Sequence, residues 1–576
     1  MPVTLSYPGV YIEEISSGLH TITGVATSIA AFVGYATQGP VNEAVLVESW
    51  SDFQQQFGGL SNNNGIPNYL GYAVNQFFGN GGSMAYIIRL VWNSELPSTP
   101  GVQAASTASA MAGGNLPLYA SSPGQWANNY QVSVIVPGGS ITSSGSSSPS
   151  TSASSGSSSS SSSASPSPSS ASSSSGSGSS GASAPVPGFT IQVMDPNGVV
   201  LESFANLSLS PSNPQYVVNV IDAESNYITF VNPAQPNVVP TIPSGTLNSV
   251  SGVLLGSGSA GIDGTVLLPG DGNFEIALGA DPNASNDYGI HLLDQVEIFN
   301  LLCIPGESDP PTIQDLQEYC YDKRAFYIVD CPQLATTSAL QKAAGPLGVS
   351  GGVLTGGLTG QYATNSAYYY PWASAPDPLM GNRPTLFPPC GFVAGLYATT
   401  DADRGVWKAP AGIAASLTGV LGLQYTLSND DNGELNPLGI NCLREFKTYG
   451  DVIWGARTLA GSDLAGSEWK YIPIRRLALF LESSLYNGTQ WVVFEPNDEP
   501  LWGQIRLNVG SFMQQLFLQG AFQGSTPQQA YFVKCDSENN PQASIDQGIV
   551  NILVGFAPLY PAEFVVIQIQ QIAGQS

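Results

Sequence analysis

The chain has 576 residues and a formal net charge of −26, and only 10% of its residues are charged. This length allows several domains, and a hydrophobic share of 42% is enough to bury large cores. The excess of acids argues against a basic surface for nucleic acid, so no DNA or RNA partner is expected.

The charges are unevenly distributed along the chain. Residues 1–322 contain Arg89 as their only basic residue, against 22 acids, whereas residues 323–576 contain 14 basic residues and 19 acids. A solvated acidic face that aids solubility is the simplest interpretation. The alternative places the acidic part at the outside of an assembly and the mixed-charge part at its contacts.

The first predicted element is an arm over residues 1–28, with a strand at residues 9–15. Its apolar residues are Val10, Tyr11, Ile12 and Ile15. An open strand edge recruits other chains, which is hazardous in a monomer but useful where subunits are to be joined. The arm is therefore predicted to add a strand to the sheet of a neighbouring subunit.

Residues 29–92 predict the first part of an α/β core. Apolar strands are expected at residues 29–35 and 85–91. Between them, a helix is expected to begin near residue 50, with Ser49 or Ser51 as a plausible N-cap, and a second helix is expected at residues 69–78. The order strand, helix, helix, strand is typical of an α/β layer architecture.

Residues 93–281 predict an inserted β-rich domain. Alternating strands are expected at residues 130–136 and 189–194. Between them, residues 140–183 are almost wholly Ser, Gly, Ala, Pro and Thr, without a charge or an aromatic ring. Such a segment cannot bury enough surface to offset its ordering entropy, so we expect a disordered Ser-rich loop in an enlarged hairpin. A spacer, a glycan acceptor and a passive insertion stay open as its role, and a passive, exposed insertion is favoured.

Residues 282–430 predict the second part of the α/β core. A strand at 296–304, a helix at 312–324 and a strand at 325–330 form a strand-helix-strand unit.

Further along, a stripe of apolar residues at helical spacing indicates a helix that faces a core. Its members are Trp502, Ile505, Val509, Phe512, Met513 and Leu516.

The chain is predicted to close with a hairpin and a second arm. The hairpin residues are Phe532, Val533, Val550, Ile552 and Val554. The arm covers residues 558–576, and its strand-forming residues include Phe564, Val566, Ile567 and Ile569. The expected fold is therefore a mixed α/β core built from N- and C-terminal parts, with an inserted β-rich domain and extended strand arms at both termini.

Catalysis is weakly supported by the sequence. A G-x-S-x-G pattern surrounds Ser350, but it lies in a glycine-rich run, and both histidines, His20 and His291, precede it. The α/β-hydrolase order requires a histidine after the serine, and only a subtilisin-like order through His291 remains formally open. No phosphate-binding loop is readable, and two histidines with scattered cysteines offer no recognisable metal site. We expect no enzyme activity, no cofactor and no metal.

The cysteines and the termini bear on the compartment. Six cysteines at scattered spacing, without a CxxC pair, favour free and mostly buried thiols. No signal peptide precedes Tyr7, and no run of 18 apolar residues exists. The sequence therefore predicts that the chain is made and folded in the cytoplasm, without direct membrane insertion.

Fourteen short segments, taken in order, carry a family resemblance. They are Tyr7–Glu14 (YPGVYIEE), Gly24–Ser28, Ala31–Gly34, Gly39–Asn42, Asn80–Gly82, Ser122–Asn129 (SPGQWANN), Tyr369–Trp372, Asp401–Ala411 (DADRGVWKAPA), Leu435–Pro437, Gly439–Asn441, Trp454–Leu459, Arg475–Leu477, Gly488–Asp498 and Pro561–Phe564 (PAEF). Together they make the chain resemble the tail sheath proteins of contractile phages and contractile injection systems. The Ser-rich run is the clear departure from that family.

The resemblance implies a structural subunit that forms stacked hexameric rings around an inner tube and contracts to drive the tube through a target envelope. It implies that both arms join the hairpin of neighbouring subunits, that residues 431–557 form a tube-facing C-terminal domain, and that the inserted domain faces outward. Its implied partners are other copies of the chain, the inner tube protein, and baseplate, tail-terminator or cap proteins. A phage virion tail and a host-encoded injection particle both stay open.

Four basic residues are candidates for charges between subunits or towards the tube. They are Arg457, Lys470, Arg475 and Arg476. An ion pair within the chain is an equally good interpretation of each. The rival function classes are a cell-surface or S-layer-like structural protein, which would normally carry an export signal, and, with less support, a subtilisin-like serine hydrolase.

Overall fold

The computed structural model describes residues 21–566 except 64, 93–95, 97–101, 143–187, 233–236, 244, 283–286, 343–357 and 359. Several predicted residues therefore lie outside the described part of the chain. These are Val10, Tyr11, Ile12, Ile15, His20, Ser350, Ile567 and Ile569. The chain divides into two compact units, one of residues 1–103 with 265–576 and one of residues 104–264, which lies within the limits predicted for the insertion.

The α-helices of the described residues are α1 Trp50–Phe57, α2 Tyr69–Gly79, α3 Val217–Glu224, α4 Gly272–Leu278, α5 Pro310–Asp322, α6 Thr337–Lys342, α7 Cys390–Arg404, α8 Asn429–Leu435, α9 Ile472–Gly488, α10 Glu499–Leu518, α11 Pro527–Ala530 and α12 Gln542–Asp546.

The strands are β1 Ala30–Tyr35, β2 Ala44–Val47, β3 Asn62–Asn63, β4 Ile66–Pro67, β5 Ala85–Leu90, β6 Ser109–Ala112, β7 Leu116–Ala120, β8 Gln131–Ile135, β9 Ser140–Thr142, β10 Phe189–Met194, β11 Val200–Leu207, β12 Ile228–Thr229, β13 Thr246–Asn248, β14 Val250–Leu254, β15 Leu301–Cys303, β16 Phe326–Asp330, β17 Ser366–Tyr370, β18 Ala373–Asp377, β19 Arg383–Phe387, β20 Gly422–Leu423, β21 Ile440–Phe446, β22 Gly450–Ile453, β23 Tyr531–Lys534 and β24 Leu553–Phe556.

The first unit is organised around an eight-stranded sheet in the order β2-β5-β1-β15-β16-β17-β21-β22. The six central strands run parallel, and β2 and β22 add antiparallel edges. All six residues of β1 are buried, as expected for a parallel strand covered on both faces. The predicted mixed α/β core, with contributions from both parts of the chain, is confirmed.

The two faces of this sheet carry separate cores. Ala31 and Val33 of β1 pack on one side, and Ala30 and Phe32 pack on the other. On the second face α2 and α7 approach closely because α7 has a glycine at the contact. A Cβ added at Gly391 would lie 2.5 Å from the carbonyl oxygen of Ala73 in α2.

Several predicted elements are confirmed at their ends. The hydroxyl of Ser49 accepts a hydrogen bond of 3.1 Å from the amide of Asp52, so Ser49 is the N-cap of α1. Helix α2 begins at Tyr69, as predicted. All six residues of the predicted late apolar stripe are buried on α10, which begins after an Asp498 cap.

The strand predicted at 296–304 was too long. Only Leu301–Cys303 pair with β1, and residues 296–300 before them join no strand. Phe299 is buried there by packing, without joining a ladder. The prediction relied on hydrophobicity alone, so it extended the strand beyond the residues that are hydrogen-bonded to β1.

The second unit is β-rich. Strands β8 and β10, the two strands that flank the Ser-rich run in the prediction, pair directly in antiparallel register within the sheet β11-β10-β8-β14. Residues 140–142, predicted to belong to the disordered loop, instead form β9 and pair with β13. Backbone pairing explains this correction, since β13 supplies ladder partners that composition cannot reveal. The rest of the predicted loop, residues 143–183, lies outside the described residues.

Helices α9 and α10 and the β23–β24 hairpin form a separate core towards the end of the chain. Leu477, Trp502 and Phe512 belong to it, together with Ile22 from the first described residues. No helix of the described residues is both long enough and apolar enough to cross a membrane.

Candidate functional site

The beginning of the C-terminal arm is fixed to the body of its own subunit by one ion pair. Nε of Arg457 lies 2.6 Å from Oε1 of Glu563, and Nη2 of Arg457 lies 2.7 Å from Oε2. Arg457 is fully buried, and the Glu563 side chain is 17% exposed. A bidentate pair of this kind fixes direction as well as distance.

Two further donors complete the environment of the Glu563 carboxylate. The hydroxyl of Tyr471 donates to Oε2 over 3.1 Å, and Nδ2 of Asn436 donates to Oε1 over 3.3 Å. Burial opposes ionisation of Glu563, but the hydrogen bonds and charge of Arg457 outweigh burial, so the pKa of Glu563 is lowered. The carboxylate is therefore held in its charged form. We call Arg457, Glu563, Tyr471 and Asn436 the arm clasp.

Arg457 is itself held from several sides. Its amide donates to Oδ1 of Asn441 over 2.8 Å, and Nδ2 of Asn441 donates back to the carbonyl of Arg457 over 2.7 Å. Nη1 of Arg457 lies 3.0 Å from Asp463, which also lies 2.6 Å from Nζ of Lys470. Arg457 is thus positioned by Asn441 and Asp463 as well as by Glu563.

The three residues directly after Glu563 are apolar and exposed. Phe564, Val565 and Val566 are 77%, 79% and 81% exposed, and none of them belongs to a strand. Three consecutive exposed apolar residues are costly unless something covers them in an assembly. Of the arm residues predicted from the sequence, Phe564 and Val566 lie in this stretch.

The predicted acceptor hairpin exists, with a shorter second strand. Phe532 and Val533 pair with Gly555 and Val554. Val550 and Ile552, predicted within that strand, precede it and pack against the core of α9 and α10. The backbone of Asn551, which lies between them, bonds to the side chains of Asn539 and Asn540, so the ladder begins only at Leu553. Within the described residues the hairpin has no third strand, and Phe532 is 53% exposed.

The four candidate interface charges all form ion pairs within the chain. Besides Arg457 and Lys470, Arg476 lies 2.6 Å from Asp401, with both side chains 3% exposed. Arg475 lies 3.3 Å from Glu482 and donates to Asn365 over 2.8 Å. Each of the four thus has an acid within its own chain, and a role between subunits stays a prediction. The sequence did not indicate which acids pair with these basic residues. Glu563 lies in the PAEF segment of the family resemblance, but nothing in that segment pointed to Arg457 as its partner.

Nothing in the described residues assembles a catalytic centre around His291. This buried side chain contacts Asp294 over 3.3 Å and the carbonyl of Asp281 over 3.1 Å, and it packs edge-on against Tyr319. Ser350 lies outside the described residues. All six cysteines are free and buried, and the described residues contain no group of three metal-binding side chains.

Two sequence families match the second half of the chain. Residues 290–459 match the phage tail sheath protein central domain, and residues 465–572 match the phage tail sheath C-terminal domain. The tail sheath protein of Vibrio phage KVP40 is 25% identical over 381 residues, covering 60% of this chain and 53% of the relative. A putative prophage major tail sheath protein of Pseudomonas aeruginosa is 26% identical over 180 residues, covering 31% and 44%. The chain thus spans about half the length of the curated relatives it matches.

Solved structures share the fold over almost the whole chain. The sheath complex of an extracellular contractile injection system, PVC, in its contracted state is 19% identical, with a TM-score of 0.53 and 99% of both chains covered. The contracted helical sheath of the anti-feeding prophage is 21% identical, with a TM-score of 0.51 and coverages of 99% and 100%. These structures show the fold of the chain, and the matched sequence domains show that its residues 290–459 and 465–572 are the central and C-terminal domains of the tail sheath family.

Proposed function

We propose that this chain is a sheath subunit that polymerises as stacked hexameric rings around an inner tube and contracts to drive the tube through a target envelope. The contrast at the arm clasp carries the proposal. Glu563 is held firmly by its own subunit, and the next three residues expose their apolar side chains to solvent. An arm that is fixed at its beginning and exposes apolar side chains directly after it is suited to strand exchange with a neighbour.

Strand exchange would give each subunit contacts to its neighbours that stay intact while the subunits move as rigid bodies. A heterologous contact that does not close generates an open helix, which is the assembly a sheath requires. The hairpin of β23 and β24 is the proposed acceptor, because it is a two-stranded sheet with an exposed Phe532. The residues 1–28 arm and the residues 558–576 arm are the proposed donors.

Contraction would release free energy stored at assembly, in an extended state that is trapped kinetically. The proposal therefore needs no nucleotide site. The proposed partners are further copies of the chain, an inner tube protein, and baseplate and terminator or cap proteins. The proposed setting is assembly in a bacterial cytoplasm into a phage tail or an injection particle, in line with the relatives' names.

Electron microscopy of the purified chain, alone and coexpressed with its tube protein, tests this function. We expect tubular particles of stacked rings with two lengths, extended and contracted. A chain that ends at Glu563 keeps the arm clasp but lacks the exposed continuation, and it should fold without forming tubes. Normal tubes from that truncated chain would contradict the proposal.

A further inference from the structure

A pocket of about 300 Å³ lies in the first unit, where α2 and α7 meet the hairpin of β18 and β19. Its lining includes the rings of Tyr72, Phe387 and Phe392, and the ring of Tyr72 stacks on that of Phe387 with the centroids 4.6 Å apart. Gly79 and Gly419 also line the pocket and are exposed, so they border its opening. None of the lining residues carries a charge.

One buried polar group of this lining has no partner. Gln76 of α2 is 9% exposed, and its Oε1 has no hydrogen-bond donor within the described residues. A buried amide oxygen without a donor is costly, so native proteins rarely keep one that nothing completes. Because Gln76 lines the pocket, a donor that binds there completes it.

A buried acid lies directly behind the same lining. Asp377 is fully buried between Pro376 and Pro378, which both line the pocket. Its Oδ1 accepts from the hydroxyl of Tyr72 over 2.7 Å and from the amide of Leu379 over 2.9 Å, whereas its Oδ2 has no donor in the part of the chain that the structure describes. Burial, followed by the hydrogen bond and the charge of Asp377, raises the pKa of Tyr72, so the acid acts on a residue of the lining.

The free oxygen distinguishes Asp377 from the other two buried acids of the described residues. Both carboxyl oxygens of Glu307 and both of Asp330 accept from backbone amides. Arg383 lies opposite Asp377 in the register of β18 and β19, but its Nε donates to the carbonyl of Met380 over 3.1 Å, and no ion pair of the described residues joins the two. Asp377 therefore has acceptor capacity that these contacts leave unused.

We infer that this pocket binds an alkylammonium or alkylguanidinium group, which donates to Oε1 of Gln76 and whose charge is stabilised by Asp377. Such a cation carries several N–H donors and no acceptor, as two unpaired acceptors require. Aromatic rings attract cations and pack against alkyl stems. An anion would find no base in the lining, and a neutral alcohol would not compensate the charge of the buried acid.

Two sources carry this chemistry. One is a free alkylamine or alkylguanidine, and the other is a lysine or arginine side chain of a second copy of the chain, which presents the same head group on a stem of three or four carbons. The binding chemistry goes beyond the proposed sheath function and does not depend on it.

Ligand titration of the unassembled full-length chain tests the inference. NMR of the ligand signals compares n-butylammonium and n-butylguanidinium with n-butanol, a neutral probe with the same alkyl chain. We expect both cations to bind with dissociation constants at least tenfold below that of n-butanol. Gln76→Leu removes the amide acceptor and Asp377→Asn removes the charge, so each should weaken the binding of n-butylammonium at least fivefold.

A variant that closes the opening gives an independent test, also if Asp377→Asn fails to fold. A Cβ at Gly79 meets nothing within 4 Å, so Gly79→Phe should fold and block the pocket while both acceptors stay in place. Gly510→Phe in α10 is the matched control, because a Cβ there also meets nothing within 4 Å. We expect n-butylammonium to bind the control like the wild type and to lose binding to Gly79→Phe, with melting temperatures that confirm folding of both.

Equal binding of n-butanol and n-butylammonium by the wild type would overturn the inference, and so would unchanged n-butylammonium binding by Gly79→Phe. Assembled tubes distinguish the two sources. If a second copy supplies the cation, tubes should bind n-butylammonium at least tenfold more weakly than free subunits do, and Gly79→Phe should impair assembly. If the ligand is a free amine, tubes and subunits should bind it equally. A wild-type chain that binds the cations but forms no tubes would contradict the sheath proposal and leave the pocket's chemistry standing.

Discussion

Arg457 and Glu563 are separated by 106 positions in the sequence and form a buried bidentate ion pair. Arg457 belongs to the segment after β22, whereas Glu563 belongs to the C-terminal arm. The pair therefore fixes Glu563 to the body of the chain, directly before the exposed residues 564–566.

Loss of this pair should loosen the beginning of the arm. We expect Glu563→Gln to lower the free energy of unfolding by about 2 kcal/mol, because Arg457 keeps only Asp463 as a charged partner in a buried site. Hydrogen exchange at residues 557–563 should rise more than exchange in α9. Asp463→Asn is the matched control, because this acid is exposed and its loss should cost less than 1 kcal/mol. Equal effects of the two changes would show that the clasp has no special role.

The buried pair of Arg476 and Asp401 should stabilise the single subunit. Replacing Arg476 with Met leaves Asp401 buried without its partner, so we expect a loss of about 3–5 kcal/mol in chemical denaturation. Lys534→Met removes an exposed pair with Glu538 and should leave the stability of the chain nearly unchanged. If Arg476→Met left subunit stability unchanged and affected only polymerisation, a role between subunits would replace this account.

The contact between α2 and α7 should tolerate no side chain at Gly391. An added Cβ meets the Ala73 carbonyl at 2.5 Å, so Gly391→Ala should destabilise the subunit by about 1–3 kcal/mol. Gly510 in α10 offers a control, because nothing lies within 4 Å of a Cβ there. Gly510→Ala should stabilise the chain by about 0.5–1 kcal/mol through helix propensity. If Gly391→Ala were as stable as the wild type or more stable, that result would contradict the described packing.

Asp330 should make stability depend on pH. Burial raises the pKa of this carboxyl to about 7, although the amides of Gly306 and Cys390 donate to it and lower the pKa. The folded state therefore holds this proton more tightly than the unfolded state does. The resulting contribution to stability is fully present below about pH 4 and is lost as the pH rises through about 7. The melting temperature of the wild type should therefore fall more between pH 5 and pH 8 than that of Asp330→Asn. Identical pH profiles would show that Asp330 does not titrate there.

Local sequence signals predicted the elements that local forces determine. The Ser49 cap, the α10 stripe and the apolar strand β1 all follow from propensity and periodicity within a few residues. The ends of β15 and the strand character of residues 140–142 did not follow, because they depend on partner strands far along the chain.

The arm clasp shows the same limit for the site. The sequence marked Arg457 as a charge of interest and the PAEF segment as part of a resemblance. It could not join them, since any of 41 acids might have been the partner and only the fold brings Glu563 to it.

The most direct test of strand exchange is a crosslink between the arm and the hairpin. Val566→Cys and Phe532→Cys place thiols at exposed positions, while all six native cysteines are buried. Assembled particles of the double variant, treated with a short thiol-specific crosslinker, should give a ladder of multimers on a denaturing gel, and each single variant should not. Monomers with only an internal crosslink would show that each arm stays on its own subunit, and the central claim would be wrong.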